Sequence, residues 1–191
     1  GQGQARARQA SFHAGLGAQV PATTLNKMCG SGMKATMIGF DQIALGQTQV
    51  MAVGGMESMS NAPYLLPKMR GGARLGHSHV ADHMFLDGLE DVFERGILMG
   101  AYAEATAQHY QFTRQAQDEF ALRSLSRAKA AIDDGTFKKE IAPVMVKSRK
   151  GNVVVNTDEQ PGIALPEKIP TLRPAFTKDG LCFTSFKATN T

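Results

Sequence analysis

Asn26-Lys27-Met28-Cys29-Gly30-Ser31-Gly32-Met33-Lys34-Ala35 is the stretch on which the reading of this chain turns. Just before it, Pro21 to Met28 is short and Thr-rich, the composition of a strand that delivers the chain to a glycine turn. After it, Met33, Met37, Phe40 and Ala44 recur at spacings of four, three and four, with Ile38 and Ile43 widening the apolar face. That spacing predicts a buried helix, closed by Gly46. Val50-Met51-Ala52-Val53 then forms a continuous apolar run, as strands do when both sheet faces are covered. Strand, helix and strand in this order predict a parallel unit and an α/β fold class.

Cys29 sits at the strand-to-helix turn, followed by two glycines that let a ligand come close to the backbone. A helix N-terminus offers unpaired N–H groups and about half a positive charge. Such a place favours thiolate over thiol and suits an oxyanion. The plainer reading of a lone cysteine is a small buried hydrophobe. The wider context decides between them.

Outward from this stretch, Gln4 to Ala14 has helical density and stops at Gly15 and Gly17. From Gly54 to about Gly96, glycine, proline, methionine and histidine without periodicity predict loops and short elements. Met99, Ala103, Thr106 and Tyr110 form a helical stripe, and Thr113 is placed to cap a second helix carrying Ala121, Leu125, Ala128 and Ile132, ended by Gly135. Ile141 to Val146 and Asn152 to Val155, joined by the polar Lys147 to Gly151, predict a hairpin. The boundary between an α/β core piece and a mixed, inserted-looking domain falls near residue 58.

The bulk numbers narrow the function classes. With 191 residues and 42% hydrophobic content the chain is long enough for a large domain or a domain with an appendage. Its net charge of +4 suits a phosphate-bearing ligand, yet the basic residues are scattered and not gathered into a nucleic-acid stripe. Cys29 and Cys182 are far apart and in unlike contexts, which argues against a disulfide framework or a CxxC metal site and for a reducing compartment. No apolar run approaches membrane-spanning length and no charged-then-apolar leader opens the chain, so a cytoplasmic protein is the expectation. Gly1 leads straight into helix-like sequence, which suggests a missing upstream piece.

The ten residues from Asn26 to Ala35 closely resemble the nucleophile motif of the thiolase family, and Gly54-Gly55-Met56-Glu57-Ser58-Met59-Ser60-Asn61 resembles a second thiolase signature at the expected distance. The resemblance continues through Asp87-Gly88-Leu89-Glu90-Asp91, Met99-Gly100-Ala101-Tyr102-Ala103-Glu104, Gln117-Asp118-Glu119-Phe120-Ala121 and Leu172-Arg173-Pro174-Ala175-Phe176, to about Gly180. It implies a partial thiolase fold. Residues 1–58 would form part of the N-terminal α/β core and 59–180 a loop domain covering coenzyme A with the return toward the core. Residues 181–191 make a divergent tail.

By the same resemblance Cys29 is the acceptor of the acyl group, its own N–H contributing to an oxyanion hole. Met99 would line the acyl pocket, and Leu98 stands where many short-chain members carry a pantetheine-touching histidine. Arg173 matches a basic position near the adenine end of coenzyme A. The implied partners are acyl-CoA and CoA as substrates, with no metal or separate cofactor, and the full-length protein is expected as a homo-oligomer, dimer or tetramer, without nucleic acid or membrane. The implied chemistry is formation or cleavage of acetoacetyl-CoA, or alternatively the longer-chain thiolysis of β-oxidation.

The family also uses an activating histidine in a Gly-His-Pro context, a second cysteine and an asparagine, all from its second half. His13, His77, His79, His83 and His109 lie in no such context, and Cys182 lacks the flanking glycines. The expectation is therefore a chain incomplete for turnover, or a non-catalytic remnant that only binds or oligomerises. Two other patterns are weighed. His79 and His83 have the i, i+4 spacing of zinc ligands on one helix face, but their glycine-rich neighbourhood weakens such a helix. Lys147, Arg149 and Lys150 read as a solvated hairpin tip.

Overall fold

The computed structural model describes residues 2–182. The chain divides into two compact units, Gly1–Arg95 and Gly96–Thr191, so residue 58 falls inside the first.

In the first unit, helix α1 spans Arg6–His13 and ends, as its glycines predict, with Gly15 in the left-handed region at φ +80°. Arg8 holds the returning chain by donating to the carbonyls of Val20 and Ala18, and its guanidinium lies 4.2 Å over the Phe12 ring. Helix α2 spans Ser31–Ala44 with Gly30 at its N-cap. Mid-helix glycine costs about 1 kcal/mol relative to alanine. At Gly39 the reason is contact: an added Cβ would lie 3.0 Å from Val53 Cγ1 and 3.2 Å from Met51 Sδ. A short antiparallel pair follows, β1 (Tyr64–Leu65) against β2 (Ala81–Asp82), and then a π-helical turn at Phe85–Leu89.

Two expectations for this unit are overturned. Neither 21–28 nor 50–53 forms a strand; the first shows only an isolated bridge between Lys27 and Cys29. A strand exists only where a neighbour accepts its backbone hydrogen bonds, and the described sheets are two antiparallel pairs built from other segments. The 51–53 run packs on α2 at Gly39 without pairing. Helix α2 is also not buried: Met33 is 74% exposed and Phe40 72%, and Gly39 is its one buried residue. Apolar periodicity marks a face that must be covered but does not say which residues cover it, and no described element lies across this one.

The second unit opens with α3 (Met99–His109) and α4 (Arg114–Asp133). Thr113 caps α4 as predicted, its hydroxyl accepting from Ala116 N at 3.1 Å, and Gly135 follows its end at φ +72°. Strands β3 (Val144–Ser148) and β4 (Gly151–Val155) form the predicted hairpin, paired from Val144–Val155 to Ser148–Gly151 around a tight turn at Arg149-Lys150. All ten of its residues are exposed. Helix α5 (Glu159–Ile163), capped by Asp158, and a 3-10 segment at Pro166–Thr171 pack on α4. The buried apolar side chains among the described residues, Ala107 on α3, Pro161 on α5 and Ile169 in the 3-10 segment, all lie in this unit. No helix among the described residues is long and apolar enough to cross a membrane.

Candidate active site

Cys29 is exposed on a turn that its neighbours lock by short-range hydrogen bonds. Asn26 Oδ1 accepts from Met28 N at 2.8 Å. Ser31 Oγ accepts from Lys27 N at 2.9 Å and donates to Met28 O at 2.8 Å. Gly30 N donates to Lys27 O at 3.0 Å. Met28 is thereby held at φ +50°, a conformation costing a side-chain-bearing residue about 1–2 kcal/mol. Strain persists only where surrounding bonds over-determine it, and such positions cluster at functional sites. The result is a thiol presented at the mouth of α2, where Ser31 N already donates to Met28 O at 3.2 Å and the N–H groups of Gly32 and Met33 have no intrahelical partner. A Cβ on Gly32 would meet nothing within 4 Å, so this side of the turn is open to a ligand.

Met99 and Arg173 belong to the second unit. Met99 is the first residue of α3, 45% exposed, with Leu98 at the N-cap. The turn it starts is pinned from one side, because an added Cβ on Gly100 would fall inside the Phe176 ring. Arg173 is exposed and no described residue accepts from its guanidinium.

Three residues with no role assigned in the sequence hold this region together. Glu104, 2% exposed, accepts from Leu181 N at 2.7 Å and Cys182 N at 2.9 Å. Arg114 donates through Nη1 to Leu172 O and through Nη2 to Ile169 O, both at 2.9 Å, while its Nε pairs with Asp118 Oδ1 at 2.7 Å. Asp118 is 7% exposed. The sequence signal for the last pair is the Arg, Asp spacing of four along a helix; nothing in it reveals the backbone partners.

Cys182 contrasts with Cys29. It is half-buried, with Sγ 3.4 Å from Gln117 Oε1. Burial pushes its thiol up from the ordinary 9.0, the Glu104 charge and hydrogen bond add to this, and Arg114 pulls it down. A buried, protonated thiol is a poor nucleophile. Among the histidines, His83 pairs with Asp87 at 3.3 Å and His109 meets Tyr110 edge-on at 4.7 Å. His79 and His83 share no helix face, since β2 lies between them. Among the described residues no group of three metal-ligating side chains gathers.

The family described as thiolase, N-terminal domain matches residues 1–188, beyond the Gly180 at which the motif-level resemblance ends. The chain belongs to the thiolase family. It is 48% identical over 182 residues to an acetyl-CoA acetyltransferase of Pseudomonas aeruginosa, an alignment covering 94% of this chain and 46% of the relative. It is 46% identical over 183 residues to an acetyl-CoA acetyltransferase of Cupriavidus necator, with the same coverage. The solved acetyl-CoA acetyltransferase of Syntrophomonas wolfei superposes at TM-score 0.84 with 41% identity, covering 95% of this chain and 45% of that one. A thiolase of Ascaris suum in complex with coenzyme A superposes at 0.81 with 39% identity and the same coverage. The chain thus spans about half the length of the thiolases it matches. Its backbone follows a partial thiolase fold, so the α/β assignment stands although 21–28 and 50–53 are not hydrogen-bonded as strands.

Proposed function

We propose that this chain carries the acyl-accepting nucleophile of an acetyl-CoA C-acetyltransferase. The observation that carries the reading is Cys29, exposed on a strained and locked turn at the N-terminus of α2. Its thiol adds to the thioester carbonyl of an acyl-CoA, with the α2 N-terminus beside the developing oxyanion. The bond to the coenzyme A sulfur breaks, the thiol proton ends on that sulfur, and the acyl group stays on Cys29 as a thioester. In synthesis, the α-carbon of a second acetyl-CoA loses a proton to a base and attacks this thioester. The new carbon–carbon bond releases acetoacetyl-CoA, and Cys29 regains its proton. By the family resemblance the base and the acid–base partner belong to the other half of the fold.

Met99, at the start of α3, is proposed to line the acyl pocket, and Arg173 to meet the adenine end of coenzyme A. Coenzyme A thioesters are the substrates, and no metal takes part in these steps. The proposed setting is a cytoplasmic homo-oligomer.

Two rival readings have observations of their own. Leu98 at the α3 N-cap favours a 3-ketoacyl-CoA thiolase of longer chains over a short-chain enzyme. The uncovered apolar face of α2 favours a remnant that binds or oligomerises without catalysis. Thiolysis of 3-ketoacyl-CoAs of graded length by the whole protein, as expressed from its own gene, separates all three. A maximum at acetoacetyl-CoA that Cys29→Ala abolishes supports the proposal. A maximum at longer chains supports the second reading, and no turnover on any chain supports the third.

A further inference from the structure

We propose that Ser31 and, to a lesser degree, Asn26 are positioning residues for acyl transfer: they aim the Cys29 N–H at the oxygen of the thioester to which the Cys29 thiol adds. The proposal rests on the reading of Cys29 as the acyl acceptor and deepens it. An acyl carbonyl bonded to Sγ lies within reach of the N–H of the same residue, so the direction of that N–H decides how well the developing oxyanion is held.

That direction is set one residue earlier. The Cys29 N–H shares a planar, trans peptide with the Met28 carbonyl, and the two point opposite ways. The carbonyl is pinned twice from the start of α2, by Ser31 Oγ at 2.8 Å and by Ser31 N at 3.2 Å. The same hydroxyl accepts from Lys27 N at 2.9 Å, and Asn26 Oδ1 accepts from Met28 N at 2.8 Å, so Met28 stays at φ +50°. A hydroxyl can both accept and donate at one atom, whereas the Asn26 carbonyl oxygen accepts alone. From Lys27 to Ser31, every N–H except that of Cys29 has an acceptor inside the turn, and no described residue accepts from Cys29 N. A serine at a helix start ordinarily caps the N–H groups of the first turn. Helix α2 has no side-chain cap, and the Ser31 hydroxyl turns back to the loop instead. It serves the peptide before the nucleophile at the expense of the helix after it.

The test uses the whole protein as expressed from its own gene, as the parent and as Ser31→Ala, Ser31→Thr and Asn26→Ala. Two rates are read at Cys29 by mass spectrometry, acetylation by acetyl-CoA and alkylation by iodoacetamide. Alkylation displaces iodide without building charge on a carbonyl oxygen, so it reports the presentation of the thiol, whereas acetylation also needs the N–H. Ser31→Ala should slow acetylation at saturating acetyl-CoA about tenfold to a hundredfold with the half-saturating concentration unchanged, and should slow alkylation no more than about threefold. Asn26→Ala should slow acetylation about threefold to tenfold, again more than alkylation, and stands in for Ser31→Ala should that variant fail to fold. Ser31→Thr, which keeps the hydroxyl, should acetylate within about threefold of the parent. Equal slowing of acetylation and alkylation in Ser31→Ala or its stand-in, or acetylation as slow in Ser31→Thr as in Ser31→Ala, overturns the proposal and leaves Cys29 as the acceptor. No acetyl group on Cys29 of the parent removes the acceptor reading itself, and the positioning role goes with it.

Discussion

Around Cys29 the side-chain hydrogen bonds that shape the turn span two to four residues, whereas around Arg173 the shaping bonds reach 55 to 78 residues along the chain. The first region borrows little from tertiary structure. Asn26, Ser31 and the following helix carry their own instructions, even while the apolar face of α2 stands uncovered. The second exists only when α3, α4 and the 169–182 segment come together around Glu104 and Arg114. The turn that presents Cys29 can thus be encoded locally, while the backbone around Arg173 is assembled at long range.

Substitutions that break the long-range bonds should therefore unfold the second unit and spare the Cys29 turn. The largest effect is expected for Glu104→Ala, which removes a buried carboxylate from two part-buried backbone N–H groups and should cost about 3 kcal/mol. Urea unfolding measures it, with the rate of Cys29 alkylation unchanged; a loss under about 1 kcal/mol breaks the contrast. Gly100→Ala should cost about 2 kcal/mol by forcing the Phe176 ring aside, and Phe176→Leu in the same chain should recover part of it.

Ser31→Ala works in the opposite sense. It should cost about 1 kcal/mol or less, yet slow iodoacetamide labelling of Cys29 while Cys182 labelling stays as it was. Equal slowing at both thiols would mean that the turn is not an independent unit. The smallest effect concerns pH. The Cys182 thiol is held above the ordinary 9.0, mainly by burial, so the folded chain keeps a proton that the unfolded chain releases. Its contribution to stability is whole below that value and fades as pH rises through it. Cys182→Ala should flatten this alkaline decline in a series of urea midpoints.

The same split between local and distant bonds governs what was legible in the sequence. Helices α2, α3 and α4, the Thr113 cap and the β3–β4 hairpin follow from patterns contained within about 20 residues, and the structure has them close to the expected limits. The turn at Cys29 and the helix after it were legible; the strand before it was not. The lock of that turn by Asn26 and Ser31 was not legible either, because either residue also fits an ordinary polar turn. Strand pairing at 21–28 and 50–53 failed because apolar or β-branched composition says nothing about a partner edge. Glu104 and Arg114 were invisible in role, since their partners are backbone groups whose positions only the fold determines. Met99 and Arg173 came from family resemblance alone.

The most direct test of the central claim uses acetyl-CoA itself. The protein as expressed from its own gene is mixed with acetyl-CoA, quenched in acid and digested, and the peptides are read by mass spectrometry. An acetyl group on the peptide containing Met28 and Cys29, discharged when free coenzyme A is added and absent in Cys29→Ala, is the predicted result. Acetylation at Cys182 or another residue with Cys29 unmodified, or acetyl transfer undiminished in Cys29→Ala, would contradict the assignment of Cys29 as the acyl acceptor.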